Sequence, residues 1–340
     1  MTNPLFIHQF EPKFENFIIH KNIIQQLQNF VSNGSIIMNI ILYGPKGVGK
    51  FSIVLGLMNH LFDESAFKYT LKTTMLDKKE FRYENTKNFI IINVSNFSKT
   101  NRKLIVKFIQ NLAQSKNILG NCHIVIIKNI DLLDKICQEK LLRIIEINIS
   151  VIRIIGIGHS YTKMIPAFRS RFLTIRVPAP TKEEILSIFK IYKNINKYPY
   201  QRNKLERITD KFGRNLWKCI NAYQLSYLGS NKKYKKQINY IDMVVSNLIS
   251  LAINPNISNL TELRHILYKM VGIHCSGSEL LSTTIKLIIK KYKRDNTKNH
   301  IISKAIRSAA EYDHKSKLGD RELYHIEAFF MQLSQIFNNS

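Results

Sequence analysis

A short glycine-rich segment carries the residues whose types and spacing are best suited to chemistry. It consists of Gly44, Pro45, Lys46, Gly47, Val48, Gly49 and Lys50. In loops of this kind successive backbone N–H groups converge on a phosphate, glycines allow its close approach, and the lysine neutralises phosphate oxygens. The segment therefore predicts a nucleotide site that takes ATP or ADP. A glycine turn without a ligand is the alternative.

The residues after this loop lack the usual magnesium ligand. The position that follows the loop lysine normally supplies a hydroxyl to Mg²⁺, and here it is Phe51. Ser52 lies one place further and would point elsewhere on a helix, unless a register slip lets it substitute. We therefore expect weak or absent Mg²⁺ binding and predict no metal site, while Phe51 and Ser52 still complete the nucleotide pocket.

A second apolar run ends without the carboxylates that hydrolysis needs. Residues 124–127 lead into Lys128 and Asn129, where an Asp for magnesium and a Glu for the attacking water would stand in an ATPase of this kind. Asp131 follows, and an ordinary helix N-terminal Asp is the favoured interpretation over catalysis. The sequence thus predicts a pocket that holds a nucleotide without hydrolysing it.

Two arginines lie near the edge of the predicted sheet. Arg169 and Arg171 directly precede the strand-like segment 172–177. A guanidinium stays protonated and grips phosphate oxygens with two parallel hydrogen bonds, which suits it to stabilising charge on a transferring phosphate. From composition alone, a surface salt bridge is the simpler interpretation of either arginine.

The elements that must position these residues alternate between strands and helices. The predicted strands are residues 36–43, 89–94, 123–127 and 151–157. The predicted helices between and after them are residues 51–58, 102–114 and 135–147. Such alternation predicts a parallel α/β sheet with the glycine loop between a strand and a helix.

The second half of the chain is helical by pattern. Thr181 with Glu184 forms a capping box that starts a helical region reaching about residue 228. A Lys-rich stretch, 229–237, is a plausible linker, and the pattern from 239 onward is again helical. We predict three domains: an α/β nucleotide-binding domain at 1–178, a small helical domain at 179–230 and an all-helical domain at 238–340.

Composition indicates a polyanionic partner. The 340 residues include 51 Lys+Arg against 24 Asp+Glu, a formal net charge of +27, which favours nucleic acid. Inflation of lysine by an A/T-rich genome is the alternative. The four cysteines show no C-x-x-C spacing, and no apolar run approaches bilayer length, so we expect a soluble intracellular protein without a membrane partner.

Three segments resemble the small subunits of replication factor C, in the clamp-loader branch of the AAA+ ATPases. Residues 165–180 are similar to the Ser-Arg-Cys box of that family and its continuation, with Phe172 in place of the cysteine. Residues 309–314 and 323–329 resemble C-terminal helices of one such subunit. The resemblance implies an AAA+ P-loop α/β domain, a helical lid and a C-terminal helical collar.

The same resemblance implies a role and partners. The family forms a nuclear heteropentamer of replication factor C subunits that uses ATP to open a sliding clamp, PCNA, and place it on primer-template DNA. It implies that Arg171 acts in trans on a neighbouring subunit's ATP. Arg102 and Arg143 match DNA-contacting positions of the family, and Lys103 and Lys107 are added from charge and helical placement; a solvated helix face is the alternative for the lysines.

Departures from the family pattern fall in one nucleotide site. His159 replaces a sensor asparagine, Trp217 replaces the second-sensor arginine, and Glu11 replaces the arginine before Pro12, a residue of the family's nucleotide-binding N-terminal box. Our hypothesis is therefore a non-hydrolysing or weakly active clamp-loader subunit. The alternatives are a self-sufficient AAA+ ATPase with unconventional metal ligands and a DNA-binding protein derived from the clamp-loader fold.

Overall fold

The computed structural model describes residues 10–32, 35–36, 38–62, 69–115, 122–196, 201–228, 240–253, 256–272, 277–292, 299–318 and 322–338. The chain folds into two units, Met1–Gln224 and Leu225–Ser340. The predicted linker at 229–237 lies outside the described residues.

A seven-stranded sheet forms the centre of the first unit. Its strands are β3 (Ile40–Tyr43), β4 (Thr70–Leu76), β5 (Lys79–Asn85), β6 (Phe89–Asn93), β7 (His123–Lys128), β8 (Ile152–Gly158) and β9 (Leu173–Arg176). The strand order is β4-β5-β6-β7-β8-β3-β9. A separate two-stranded ribbon pairs β1 (Val31–Ser32) with β2 (Ser35–Ile36).

Five of the seven strands are parallel, and β3 lies between β8 and β9. This confirms the predicted parallel α/β sheet. The hairpin β4–β5 adds an antiparallel edge next to β6 and was not predicted. Its two-residue turn, Asp77 and Lys78, has positive φ at both residues. That turn type is usually built from Asn-Gly or Asp-Gly, so the sequence carried little signal for it.

Helices cover both faces of the sheet. Those of the first unit are α1 (Lys21–Asn29), α2 (Lys50–Phe62), α3 (Lys103–Gln114), α4 (Lys135–Ile147), α5 (Pro166–Arg171), α6 (Lys182–Asn196), α7 (Arg202–Phe212) and α8 (Leu216–Leu228). Strand β7 shows why two layers are needed, because Ile124 and Ile126 pack with α1 and α2, and Val125 and Ile127 pack with α3 and α4.

The predicted capping box starts α6. The backbone N–H of Thr181 donates to the Glu184 carboxylate at 2.6 Å, and the N–H of Glu184 donates to Thr181 Oγ1 at 3.2 Å. Both bonds satisfy donors that a helix N-terminus leaves without a partner. The capping box is confirmed, and the exact division of this unit at residues 178 and 179 stays a prediction.

The described part of the second unit is helical. Its helices are α9 (Tyr240–Ile253), α10 (Ile257–Gly272), α11 (Gly277–Tyr292), α12 (Asn299–Leu318) and α13 (Glu322–Asn338). They share one apolar core that includes the fully buried Phe329 and Phe330. In the helices described in either unit, we find none with the length and apolar character needed to cross a membrane.

Candidate nucleotide site

The glycine loop lies where the sequence predicts it, between the end of β3 and the start of α2. Gly47 has φ 74° and Gly49 has φ 94°, a backbone conformation that residues with a side chain rarely adopt. A Cβ at Gly49 would meet nothing within 4 Å. The loop is therefore open at Gly49, as a phosphate cradle at a helix N-terminus requires.

Lys50 is buried at the centre of the loop. Its ammonium donates to the carbonyls of Gly44 at 2.7 Å and Pro45 at 2.5 Å, and lies 3.3 Å from His159 Nδ1. Burial lowers the pKa of Lys50 to about 8, and the charge of Asp131 opposes that shift. These hydrogen-bond partners are uncharged, so a phosphate would add the negative charge that favours the protonated form of Lys50.

The other residues predicted for the pocket differ in their exposure to solvent. Lys46 is exposed, whereas Val48 and Pro12 are buried. The Pro12 carbonyl accepts a hydrogen bond from Asn59 Nδ2 on α2 at 2.9 Å. The segment around Pro12 is thereby fixed to the helix that follows the loop.

Phe51 and Lys128, which stand at positions where magnesium ligands are expected, contact each other. The Lys128 ammonium lies 3.6 Å from the centre of the Phe51 ring, a cation–π contact. Glu84 Oε2 is 3.6 Å from the same nitrogen. Burial lowers the pKa of Lys128, and Glu84 opposes the shift. The site does not fit Mg²⁺, because neither Phe51 nor Lys128 offers an oxygen ligand.

The described residues contain no cluster of three or more His, Cys, Asp or Glu able to hold a metal ion. Ser52 does not substitute in the contact with β7, since Phe51 occupies it. The alternative of a register slip has no support in this geometry.

A neutral network replaces the catalytic carboxylate and the polar sensor. Asn129 Nδ2 donates to Asn93 Oδ1 at 2.8 Å and to Ser95 Oγ at 2.7 Å. Asn129 Oδ1 lies 2.9 Å from His159 Nε2, while Nδ1 of that ring faces Lys50. An ammonium can only donate, so Nδ1 accepts and Nε2 carries the proton. Burial, and then the Lys50 charge, lowers the pKa of His159 and favours this neutral form.

Asp131 is bound to backbone amides. Its buried carboxylate accepts from the N–H of His159 at 3.1 Å and of Ser160 at 3.3 Å. It lies in a 3-10 turn, Ile130–Leu132, directly after β7. The carboxylate therefore links the ends of β7 and β8, which differs from the helix N-terminal role that the sequence predicted for it, and its lack of a catalytic role stays a prediction.

The start of α8 contacts the loop. The backbone N–H of Trp217 donates to the Gly47 carbonyl at 3.0 Å. A Cβ at Gly47 would overlap the side chain of Asn215. Arg214 donates to the carbonyls of Pro180 and Ala179, which ties this turn to the segment before α6. The backbone hydrogen bond from Trp217 thus joins the helical region after the sheet to the loop. The sequence did not predict this contact, because a backbone hydrogen bond leaves no recognisable side-chain pattern.

Arg171 is the last residue of α5. Its side chain is 58% exposed, and Nε donates to Glu146 Oε1 at 2.8 Å. Arg169 lies instead over the ring of Tyr161, at 4.7 Å. Of the two arginines, Arg171 is the one presented to solvent, and a surface ion pair costs little to break.

The four predicted DNA-contacting residues differ in exposure. The Arg102 side chain is only 14% exposed, donates to the Leu132 carbonyl at 2.7 Å and faces Asp134 at 3.8 Å. Lys103 and Lys107 are exposed on α3, and Arg143 is exposed on α4. The geometry of Arg102 supports a bracing role between α3 and the turn after β7 better than a phosphate contact.

A surface groove joins the two predicted lysines with a third cation. Lys103 and Lys107 line it with Lys140 of α4, and Asp77 of the β4–β5 turn pairs with Lys107. Lys140 was not predicted, because only the packing of α3 beside α4 brings it close. The groove has three lysines and one aspartate among mostly uncharged residues, and its net positive charge suits a phosphate backbone.

Comparisons with known proteins agree with the fold. The family model described as "DNA polymerase III, delta subunit" matches residues 19–181, and the one described as "Replication factor C subunit 3, C-terminal domain" matches residues 241–340. The "Probable replication factor C subunit 3" of Dictyostelium discoideum is 28% identical over 360 residues, covering 98% of each chain. Over nearly its whole length the chain is similar to the small subunits of replication factor C.

Other replication factor C subunits align over nearly the whole chain. Human "Replication factor C subunit 3" is 25% identical and covers 94% of this chain and 91% of that protein. Among solved structures, a variant of RuvB from Thermotoga maritima aligns with a TM-score of 0.47 and 16% identity, covering 80% of this chain and 84% of that chain. The sequence-based resemblance and the AAA+ clamp-loader fold with a C-terminal helical region are confirmed.

Proposed function

We propose that this chain is a small subunit of a replication factor C clamp loader that holds ATP or ADP without hydrolysing it. The relatives, all replication factor C subunits, support the clamp-loader role. One observation supports the absence of hydrolysis. The glycine loop has Lys50 at its centre, while Phe51 and Lys128 contact each other where metal ligands are expected.

Hydrolysis needs groups that this pocket lacks. A bound metal would neutralise developing charge and a carboxylate would orient or deprotonate the attacking water. Lys128 and Asn129 do neither, and the amide of Asn129 is engaged with Asn93, Ser95 and His159. The bound nucleotide then has a structural role, fixing the loop against the start of α8.

We propose in addition that Arg171 acts on the ATP of a neighbouring subunit. Its exposure at the end of α5 and its single described ion pair, with Glu146, leave a guanidinium able to reach outward. An arginine supplied from a neighbouring protein can raise phosphoryl-transfer rates by about 10³ to 10⁵. The chain would thus assist ATP hydrolysis at a neighbouring subunit, while its own nucleotide site hydrolyses no ATP.

The remaining partners follow from the family and from charge. We propose that the chain works in the nucleus with the other replication factor C subunits, PCNA and primer-template DNA. The net charge of +27 and the groove lined by Lys103, Lys107 and Lys140 support phosphate contacts without base reading.

The assembled loader tests this proposal. Arg171→Ala should lower DNA-stimulated ATP turnover of the complex by at least about tenfold, with assembly unchanged, because transition-state charge loses its partner. Arg176→Ala, an exposed arginine on the neighbouring strand β9, is the matched control and should leave turnover unchanged. Full turnover in the Arg171 variant would refute the trans role.

ATP hydrolysis by the isolated chain distinguishes our proposal from the hypothesis of a self-sufficient ATPase. A self-sufficient ATPase would hydrolyse ATP alone with added Mg²⁺ and would lose that activity on Lys50→Ala. Our proposal predicts turnover at background for both proteins.

A further inference from the structure

We propose that Lys128 is a built-in cation that replaces the divalent metal, so that this pocket binds ADP or ATP in the absence of Mg²⁺. The inference rests on the proposed nucleotide site. The proposal goes beyond the loss of a metal ligand, because it assigns phosphate binding to Lys128, which stands at the expected metal position.

The two altered positions contact each other. Phe51 belongs to the first turn of α2, directly after Lys50, and Lys128 ends β7. The ring and the ammonium meet at 3.6 Å. A residue at position 51 normally faces the metal that bridges the phosphates. The ammonium in contact with it therefore lies in the metal's neighbourhood, and the aromatic face that replaces the hydroxyl attracts a cation.

The Lys128 ammonium has donor capacity to spare. It carries three N–H groups, yet its acidic neighbour Glu84 stands at 3.6 Å, beyond hydrogen-bond distance. Glu84 Oε2 is buried and has no hydrogen-bond partner among the described residues. Both side chains are about three-quarters buried, with 21% and 25% exposed. This buried cation is held by an ion pair with Glu84 and by the Phe51 ring, and a phosphate would add acceptors for its remaining N–H groups.

Electrostatics also disfavour a metal beside this group. A divalent cation would have to approach the Lys128 ammonium, and neither Lys128 nor Phe51 offers it an oxygen ligand. A nucleotide phosphate has the opposite sign and would favour the protonated state of Lys128, whose pKa burial lowers. Lys50 and Lys128 would then neutralise the phosphates as a pair, one from the loop and one from β7.

The first experiment compares ADP binding to the full chain in excess EDTA and in excess Mg²⁺. Calorimetry gives the affinity, and Trp217, the only tryptophan of the chain, gives an independent signal beside Gly47. We expect the two dissociation constants to agree within about threefold. Binding that requires Mg²⁺ would overturn this inference and leave the nucleotide site intact, whereas no binding in either buffer would overturn both.

Variants of Lys128 then test whether this residue accounts for ADP binding without Mg²⁺. Lys128→Met should weaken ADP binding in EDTA by about tenfold or more, and Lys128→Arg, which keeps the charge, should retain most of it. Lys190→Met, which alters an exposed lysine of α6, is the control and should bind as the unaltered chain does. Unchanged ADP binding by a folded Lys128→Met protein would overturn the proposal.

A rebuilt site gives a readout that needs no activity. With ADP present, Mn²⁺ bound to protein is visible by electron paramagnetic resonance. The unaltered chain should show none beyond Mn²⁺ bound to free ADP, and the double variant Phe51→Thr with Lys128→Asp should show a protein-bound signal. A protein-bound Mn²⁺ signal in the unaltered chain would contradict the proposal, and the EDTA comparison above stands even if the double variant fails to fold.

Discussion

The two halves of the candidate nucleotide pocket differ in which nucleotide-binding features they retain. In the loop half, Lys50 and the glycines keep the geometry that binds phosphate. In the metal half, an aromatic ring, an ammonium and an amide stand where a hydroxyl and two carboxylates belong.

This difference teaches that binding and hydrolysis are separable within one site. Phosphate binding depends on backbone N–H groups and a lysine, which survive replacement of neighbouring side chains. Hydrolysis depends on oxygen ligands at defined points, and it is lost when they go. Arg171, which we propose acts on a neighbouring subunit's ATP, lies outside both halves; its side chain is 58% exposed and pairs with Glu146.

The largest effect should come from the centre of the loop half. Lys50→Ala should weaken ADP binding by about a hundredfold, because it removes a buried cation that the phosphates pair with. The measurement is isothermal titration calorimetry on the full chain. Lys46→Ala, which alters an exposed lysine of the same loop, should cost less than about threefold. Equal losses in the two variants would show that the loop half is not organised around Lys50.

Glycine replacements test how the loop is held. Gly47→Ala should lower the free energy of unfolding by about 2 kcal/mol, since it adds strain at positive φ and overlap with Asn215. Gly49→Ala should cost about 1 kcal/mol, from φ alone. Urea unfolding measures both. Asn215→Ala should recover the steric part in the Gly47 variant, and no recovery would argue against the contact between the loop and the turn before α8.

The pH dependence of binding tests the charge of Lys50. Its pKa is about 8 in the free protein, and a bound phosphate would raise that value. ADP affinity should therefore be level below pH 8 and fall above it by up to about tenfold per pH unit, as binding comes to require proton uptake. Lys50→Arg stays charged and should flatten the part of the profile due to residue 50. A rise in affinity above pH 8 would contradict the assignment.

The smallest effect should come from restoring one family residue to the metal half. His159→Asn should change ADP affinity by less than about threefold and should add no ATP turnover, because Phe51 and Lys128 remain. A coupled phosphate-release assay provides the check. Turnover above background in this single variant would mean that the metal half is less altered than the geometry indicates.

Much of this picture could be predicted from the sequence. Buried strands such as β7 and β8 are continuous apolar runs, and the glycine loop between a strand and a helix has a specific pattern. The hairpin β4–β5 escaped prediction because its turn lacks the usual Asn-Gly or Asp-Gly pair and its strands are largely exposed.

The pocket shows the limit most clearly. The sequence identified Phe51 and Lys128 separately as missing ligands. Their contact, and the third partner Glu84 on β5, depend on the unpredicted hairpin and on sheet order. Arg102 shows the same limit, since its burial follows from the turn that contains Leu132.

The most direct test is a single-turnover measurement with labelled ATP, Mg²⁺ and the full chain in excess over the nucleotide. The account predicts that ATP is bound and is recovered intact after denaturation of the protein, and that the Lys50→Ala variant binds ATP about a hundredfold more weakly. Conversion of the bound ATP to ADP by the unaltered chain, lost in that variant, would contradict it.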